Sequence, residues 1–176
     1  HYRDEGVPVV QSGFVTTGKY YADKYLYVDQ SLFNEQKRSR VVPGDIVMAK
    51  IGANAGSSAI VTEDFEYGIL AGNCLKVSID KEIVNNQFIL YWFHYRFMKD
   101  GFIDIVTVTA QPAISLASLR KVLLPLPPLA EQKQIAEILS GVDAVIRQNS
   151  DQVEQLKRTK AGLMQDLLTG RKRVAV

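Results

Sequence analysis

The stretch Leu124-Pro125-Leu126-Pro127-Pro128-Leu129-Ala130-Glu131-Gln132-Lys133-Gln134-Ile135 decides how the chain is organised. Pro125, Pro127 and Pro128 can continue neither a helix nor a central strand, because each lacks the N–H that either ladder needs. They read as a stiff hinge at a domain boundary. Residues 129 to 170 then contain no proline and only three glycines, Gly141, Gly162 and Gly170. Apolar side chains fall at Ile135, Leu139, Val142, Ile146, Val153, Leu156, Leu163 and Leu167, with Asn149 and Lys160 in the two polar slots. Steps of four and three residues alternate throughout, which is the heptad seam of a helix that faces another helix. The spacing predicts one long coiled-coil-forming α-helix that stops at Gly170, where a left-handed residue closes a helix well. Ala130 to Thr169 would span roughly 60 Å at about 1.5 Å per residue. Such a stripe needs a helical partner, in this chain or another. Asn149 and Lys160 would lower its stability but fix its register.

Upstream of the hinge the pattern changes to short apolar runs punctuated by Gly, Asn and Asp. Val7 to Val10, Tyr25 to Val28, Ile46 to Ile51, Ser58 to Val61, Gly68 to Ala71 and Cys74 to Ile79 read as strands. Asn85-Asn86 is placed to cap a helix from Gln87 to about Met98. Ser115 to Arg120 suits a helical turn or two, and Val122 to Leu126 a last strand. The fold class is therefore α+β: a globular mixed α/β domain over residues 1–128, then the long helix over residues 129–176.

Composition narrows the function classes. The chain has 176 residues, 21 Lys plus Arg against 19 Asp plus Glu, and a net charge of +2, so bulk charge gives no reason to propose a nucleic-acid partner. Residues 1 to 128 balance 13 basic against 13 acidic side chains. Residues 131 to 154 carry two basic and five acidic groups, net −3, and residues 155 to 176 six basic and one acidic, net +5. The helix is thus polarised along its axis. A single cysteine, Cys74, excludes an internal disulfide framework, and two histidines leave little for a metal site. No apolar run approaches the ~20 residues of a membrane span, and no signal-peptide pattern opens the chain. A cytoplasmic protein without membrane, metal or cofactor is the expectation.

The motifs speak against an independent catalytic centre. Gly52-Ala53-Asn54-Ala55-Gly56 follows a strand but lacks the third glycine of a dinucleotide fingerprint and the Gly-Lys-Ser/Thr of a P-loop. It reads as a tight loop. Glu131-Gln132-Lys133 has the form of half a nuclease motif, but no partner aspartate supports it and Glu is favoured at a helix start in any case. His94 reads as a satisfied, partly buried imidazole, Cys74 as a buried thiol, and Glu63-Asp64-Phe65-Glu66 as a solvated turn. Basic residues cluster locally instead. Lys37, Arg38 and Arg40 sit in an expected loop, and Lys19 and Lys24 are interleaved with Tyr20, Tyr21 and Tyr25. Lys50 leads into the glycine loop, whose Asn54 suits a base edge. Phosphate contacts plus groove readout would use such residues.

At the hinge and helix the sequence resembles the specificity subunits of type I restriction–modification systems. The carriers are Leu124 to Ala136 with Leu139 and Val142-Asp143, and Leu156-Lys157 with Lys160-Ala161-Gly162-Leu163-Met164-Gln165-Asp166-Leu167-Leu168-Thr169-Gly170-Arg171. Pro43-Gly44-Asp45-Ile46-Val47 and Ala110-Gln111-Pro112-Ala113-Ile114-Ser115 match as well. The first 40 residues carry little of this signal, as expected where target specificity varies. The resemblance implies a non-catalytic subunit whose target recognition domain reads half of a split site on double-stranded DNA. It implies antiparallel conserved helices that dock DNA methyltransferase (modification) subunits and a restriction subunit. Lys19, Lys24, Lys37, Arg38, Arg40, Lys50, Asn54 and Gln111 are then the candidate DNA contacts, and the eight seam residues the helix interface. Such subunits usually hold two recognition domains and two helices, whereas this chain has one of each, so it is either a half-subunit or a fragment of a longer subunit, and a homodimer through the helix is expected. The rival expectations are the specificity half of another restriction–modification type, a helical assembly adaptor without a DNA role, and, weakest, a nuclease.

Overall fold

The structure, a computed structural model, describes residues 2–16, 18–107 and 111–174. His1 and Ala110, the first residue of the Ala110–Ser115 stretch, lie outside them. The elements in chain order are β1 (Val7–Val10), β2 (Leu26–Val28), α1 (Gln30–Glu35), β3 (Arg40–Val41), β4 (Ile46–Ala49), β5 (Ser58–Ile60), β6 (Gly68–Leu70) and β7 (Cys74–Val77). They continue with α2 (Asn86–Asp100), β8 (Val106–Thr107), β9 (Ala113–Ile114), α3 (Leu116–Leu119) and α4 (Leu129–Leu168). The mixed α+β domain and the long terminal helix are as expected from the sequence.

One sheet runs β2-β1-β6-β3, with β1 and β6 parallel and the other pairs antiparallel. A second, antiparallel sheet runs β5-β4-β7, and β8 and β9 form a small hairpin. Strand β4 is the keystone. Side chains alternate across a strand, and here both faces are covered. Ile46 and Met48 enter one cluster with Leu75 and with Phe88, Ile89, Leu90 and Phe93 of α2. Val47 and Ala49 enter another with Val10, Val15, Val41, Ala59, Val61 and Phe65. All four β4 residues are at most 1% exposed, which is why the run is continuously apolar rather than alternating. A third cluster, Val7, Val9, Val28 and Ile69, is roofed by Leu32 and Phe33 of α1.

Helix α2 starts where Asn85 Oδ1 accepts from the Phe88 N–H at 2.9 Å and ends on Gly101, whose φ is +57°. The next residue, Phe102, also has a positive φ, +58°, and is fully buried. A bulky side chain in that region costs on the order of 1–3 kcal/mol, about what burial of its ring returns. Polar contacts tip the balance. Asp100 Oδ1 accepts from the Phe102 N–H at 3.0 Å, and Arg96 pairs with Asp100 at 3.3 Å and Asp104 at 2.5 Å. The Arg96 guanidinium also lies 5.4 Å from the Trp92 and Phe102 ring centroids.

The segment Val122–Leu126 departs from expectation: it joins no sheet. Val122 and Leu124 pack on the α2 cluster while Leu123 is 90% exposed, so the alternation survives without pairing. Pro125, Pro127 and Pro128 have no N–H to give a neighbouring strand. Elements α1, β3, β8 and β9, each at most six residues long, are too short to leave a periodic signal in the sequence.

The chain divides into the compact units His1–Ala136 and Glu137–Val176. The first two turns of α4 belong to the first of these units. Gln132 and Ala136 are buried there, and Ile135 packs on the α2 cluster. The Gln132 side chain, 0% exposed, accepts from the Asn85 N–H at 2.9 Å and donates to the Ile83 and Pro127 carbonyls at 3.0 and 2.8 Å. In the second unit α4 closes at Gly170, φ +73°, and Asp166 pairs with Arg171 and Lys172. Among the described residues no helix is long and apolar enough to cross a membrane.

Two stability measurements test this account. Gln132→Ala strands one N–H and two carbonyls, so urea unfolding is expected to show a loss of about 2–4 kcal/mol. Exposed Gln134→Ala is expected to stay within about 0.5 kcal/mol of wild type. The glycine loop gives a second pair. Gly52 (φ +95°) has open space where a Cβ would go, whereas a Cβ on Gly56 (φ +101°) would meet Phe102 Cδ2 at 2.7 Å. Gly52→Ala should cost about 1–2 kcal/mol of backbone strain alone, and Gly56→Ala about 3 kcal/mol or more. Equal losses would remove Phe102 as the cause.

Candidate nucleic-acid interface

Backbone pairing draws three of the candidate contacts into one place. Lys50 follows β4; its N–H donates to the Asn73 carbonyl and its carbonyl accepts from the Ile114 N–H, both at 2.9 Å. Ile51 bridges Ala113 in antiparallel fashion, and the Gly52 N–H donates to the Pro112 carbonyl at 2.8 Å. Residues 111–114 therefore run beside residues 50–52, and Gln111 arrives next to the glycine loop. Within that loop Ala55 is buried and acts as the anchor, while Ala53 and Asn54 are exposed at the tip. The Ala55 N–H donates to the Gly52 carbonyl at 3.0 Å and the Ser57 N–H to the Asn54 carbonyl at 2.9 Å, which fixes the turn. The backbone pairing thus brings the segments that carry Lys50, Asn54 and Gln111 close together.

The other candidates lie elsewhere. Lys37 and Arg38 are exposed on a 3₁₀ turn, Lys37–Ser39, directly after α1. Arg40 is half-buried: its Nε donates to the Phe33 carbonyl at 3.2 Å and its guanidinium lies 4.4 Å from the Phe33 ring centroid. Its side chain ties α1 to β3, which leaves less of it for a ligand. Lys19 and Lys24 are exposed on the segment before β2. The tyrosines interleaved with them face carboxylates rather than cations: Tyr20, Tyr21, Tyr25 and Tyr27 line a cleft with Asp64 and Glu66. Nothing in the local sequence signals that encounter, because Asp64 and Glu66 are brought in from a distant turn. The eight candidates therefore fall in three places.

The helix candidates divide as well. Ile135 is used by the globular core, whereas Leu139, Val142, Ile146, Val153, Leu156, Leu163 and Leu167 are 39–60% exposed. The groups set aside as structural behave so. His94 Nε2 lies 2.9 Å from the Ser58 carbonyl, and burial pushes the Cys74 thiol up to about 12. Glu63, Asp64 and Glu66 are exposed around a buried Phe65.

Comparison with known proteins is consistent along most of the chain. The family model described as "Type I restriction modification DNA specificity domain" matches residues 2–158. The type I restriction enzyme MjaVIII specificity subunit of Methanocaldococcus jannaschii is 34% identical over 126 residues, 71% of this chain and 28% of that protein. The EcoKI specificity subunit of Escherichia coli is 24% identical over 178 residues, 97% of this chain and 36% of that protein. The chain spans well under half the length of these curated relatives. The crystal structure of the HsdS subunit from Thermoanaerobacter tengcongensis has the same fold at a TM-score of 0.61 and 20% identity, covering 94% of this chain and 42% of that one. With the family model matching residues 2–158 and the fold shared over 94% of the chain, the chain belongs to the family of type I restriction–modification DNA specificity domains.

Proposed function

We propose that the chain is a non-catalytic DNA-specificity unit of a type I restriction–modification complex, reading one half of a split target on double-stranded DNA. The observation that carries this is the shared edge of Lys50, Asn54 and Gln111, held by the 50–52 and 111–114 pairing. An Asn or Gln carboxamide can donate to and accept from one adenine in the major groove, and an adjacent lysine suits a phosphate or a guanine. Lys37 and Arg38, exposed on their turn, would anchor the backbone, with Lys19 and Lys24 as further phosphate contacts and Arg40 as a support for α1. Such anchoring fixes register, while the loop edge supplies sequence.

In the same reading the exposed seam of α4 pairs with a second copy. Antiparallel pairing sets residues 131–154, net −3, of one copy against residues 155–176, net +5, of the other. Charge complementarity of that kind selects orientation. The paired helices would hold two identical recognition domains on inverted half-sites and dock the methyltransferase and restriction subunits. The complex would work in the cytoplasm.

Three outcomes are expected. In fluorescence anisotropy on duplex DNA, Arg38→Ala should weaken binding and reduce the salt slope by about 0.9 for its lost phosphate contact. Asn54→Ala should leave that slope unchanged and reduce discrimination between sequences by about 1–3 kcal/mol. Light scattering should give twice the 19.7 kDa chain mass at tens of micromolar, and Ile146→Glu with Leu156→Glu should return the single-chain mass. A chain that dimerises but binds no duplex, alone or with its partner subunits, would support the adaptor reading instead.

A further inference from the structure

A cleft of about 520 Å³ opens where β1 and β2 face the turn that precedes β6. Tyr21, Tyr25, Tyr27 and Tyr67 wall it together with Asp64 and Glu66. Its floor is stiff. The Tyr20 and Tyr25 hydroxyls are hydrogen-bonded at 3.0 Å, and the rings of Phe14, Tyr20, Tyr25 and Phe65 contact one another at centroid distances of 5.3–6.2 Å. The Tyr67 ring is steadied by Phe33 at 5.3 Å. Burial, reinforced by the Tyr25 bond, drives the Tyr20 hydroxyl well above its usual range, so it stays a neutral phenol.

The electrostatic sign of the cleft is uniform. Aromatic faces carry negative charge density, both charged wall residues are carboxylates, and no basic side chain lines the cleft. Lys19 and Lys24 share the segment but are not among its walls. Among the described residues no ion pair engages Asp64 or Glu66. A phosphate would be repelled inside the cleft itself, whose walls include neither Lys19 nor Lys24. A cation is favoured twice, by the rings and by the carboxylates. A planar guanidinium can stack on tyrosine and bond a carboxylate in the same pose, and an ammonium can use both as a point charge.

We propose that this cleft is a docking site for an arginine or lysine side chain carried on a basic segment of a partner protein. The volume lies within the range of sites that enclose a ligand and exceeds what one guanidinium fills, leaving room for flanking backbone. The assignment does not depend on the DNA reading, since it concerns residues outside the candidate DNA contacts and an occupant of opposite charge.

The test is NMR of the whole chain with labelled tyrosine rings, titrated with the peptide acetyl-Gly-Arg-Gly-Arg-Gly-amide. Saturable shifts are expected at Tyr21, Tyr27 and Tyr67. The same peptide with citrulline in place of arginine keeps the shape without the charge and is expected to bind at least about tenfold more weakly. Asp64→Asn with Glu66→Gln, at exposed positions that leave the core intact, should weaken the arginine peptide about tenfold. Tyr21→Leu should weaken it several-fold, which general charge attraction would not do. The proposal is overturned if citrulline binds equally, if either variant binds as wild type does, or if duplex DNA shifts the same tyrosines and displaces the peptide.

Discussion

The geometry of the candidate edge hangs on one contact: the ring of Phe102 under the backbone of Gly56. Phe102 is buried with a positive φ, and a Cβ on Gly56 would stand 2.7 Å from its ring. Two backbone oddities therefore require each other. The glycine lets the loop descend onto the ring, and the ring fills the space that the loop would otherwise leave empty. Phe102 also begins the turn into β8, because its carbonyl accepts from both the Ile105 and Val106 N–H groups at 2.9 Å. Strand β8 pairs β9, and β9 reaches Ile51. One ring thus supports both walls of the edge, Lys50 to Asn54 on one side and Gln111 on the other.

This arrangement suits a reader of bases better than a flexible loop would. A one-ångström shift of a carboxamide changes which groove atoms it reaches, so specificity needs a supporting shell. Arg96 closes that shell from behind, since its pairs with Asp100 and Asp104 hold the strained turn, and its side chain is largely enclosed. The buried Gln132 plays a comparable part at the other end of the domain. By bonding Asn85, Ile83 and Pro127 at once, it ties the start of α4 to the start of α2.

How much of this the sequence reveals depends on the range of the interaction responsible. The six longer strand runs, the Asn85 cap and the Gly170 stop were readable because each is written in neighbouring residues. The heptad seam was readable because its period repeats. What stayed hidden is non-local. Ile135 fits the seam by spacing, yet the core takes it, because the globular unit claims the first two turns of the helix. Val122 to Leu126 alternates like a strand but has no neighbour to pair with. Tyr20, Tyr21 and Tyr25 look interleaved with lysines, yet they meet Asp64 and Glu66, some forty residues away. The Gln111 edge beside Asn54 likewise appears only once β9 is seen to bridge Ile51.

The same contrast bears on charge. Balanced at 13 basic and 13 acidic side chains, residues 1 to 128 have no net field to draw DNA from a distance. Balance is not uniformity, however. The exposed Lys37 and Arg38 stand on one turn, while Asp64 and Glu66 edge a tyrosine cleft with no cation among its walls. Within about 10 Å, the screening length at 0.1 M salt, each patch would act on a ligand of its own and be little affected by the sum. A domain built in this way gains orientation from charge more than affinity. In the proposed reading a few phosphate contacts would give weak binding with a shallow salt slope, about 0.9 per contact, so tight occupancy would have to come from a second recognition domain or from partner subunits. The seven exposed seam positions of α4 would be where such partners gain most, because covering each removes from water a surface that the chain by itself leaves open.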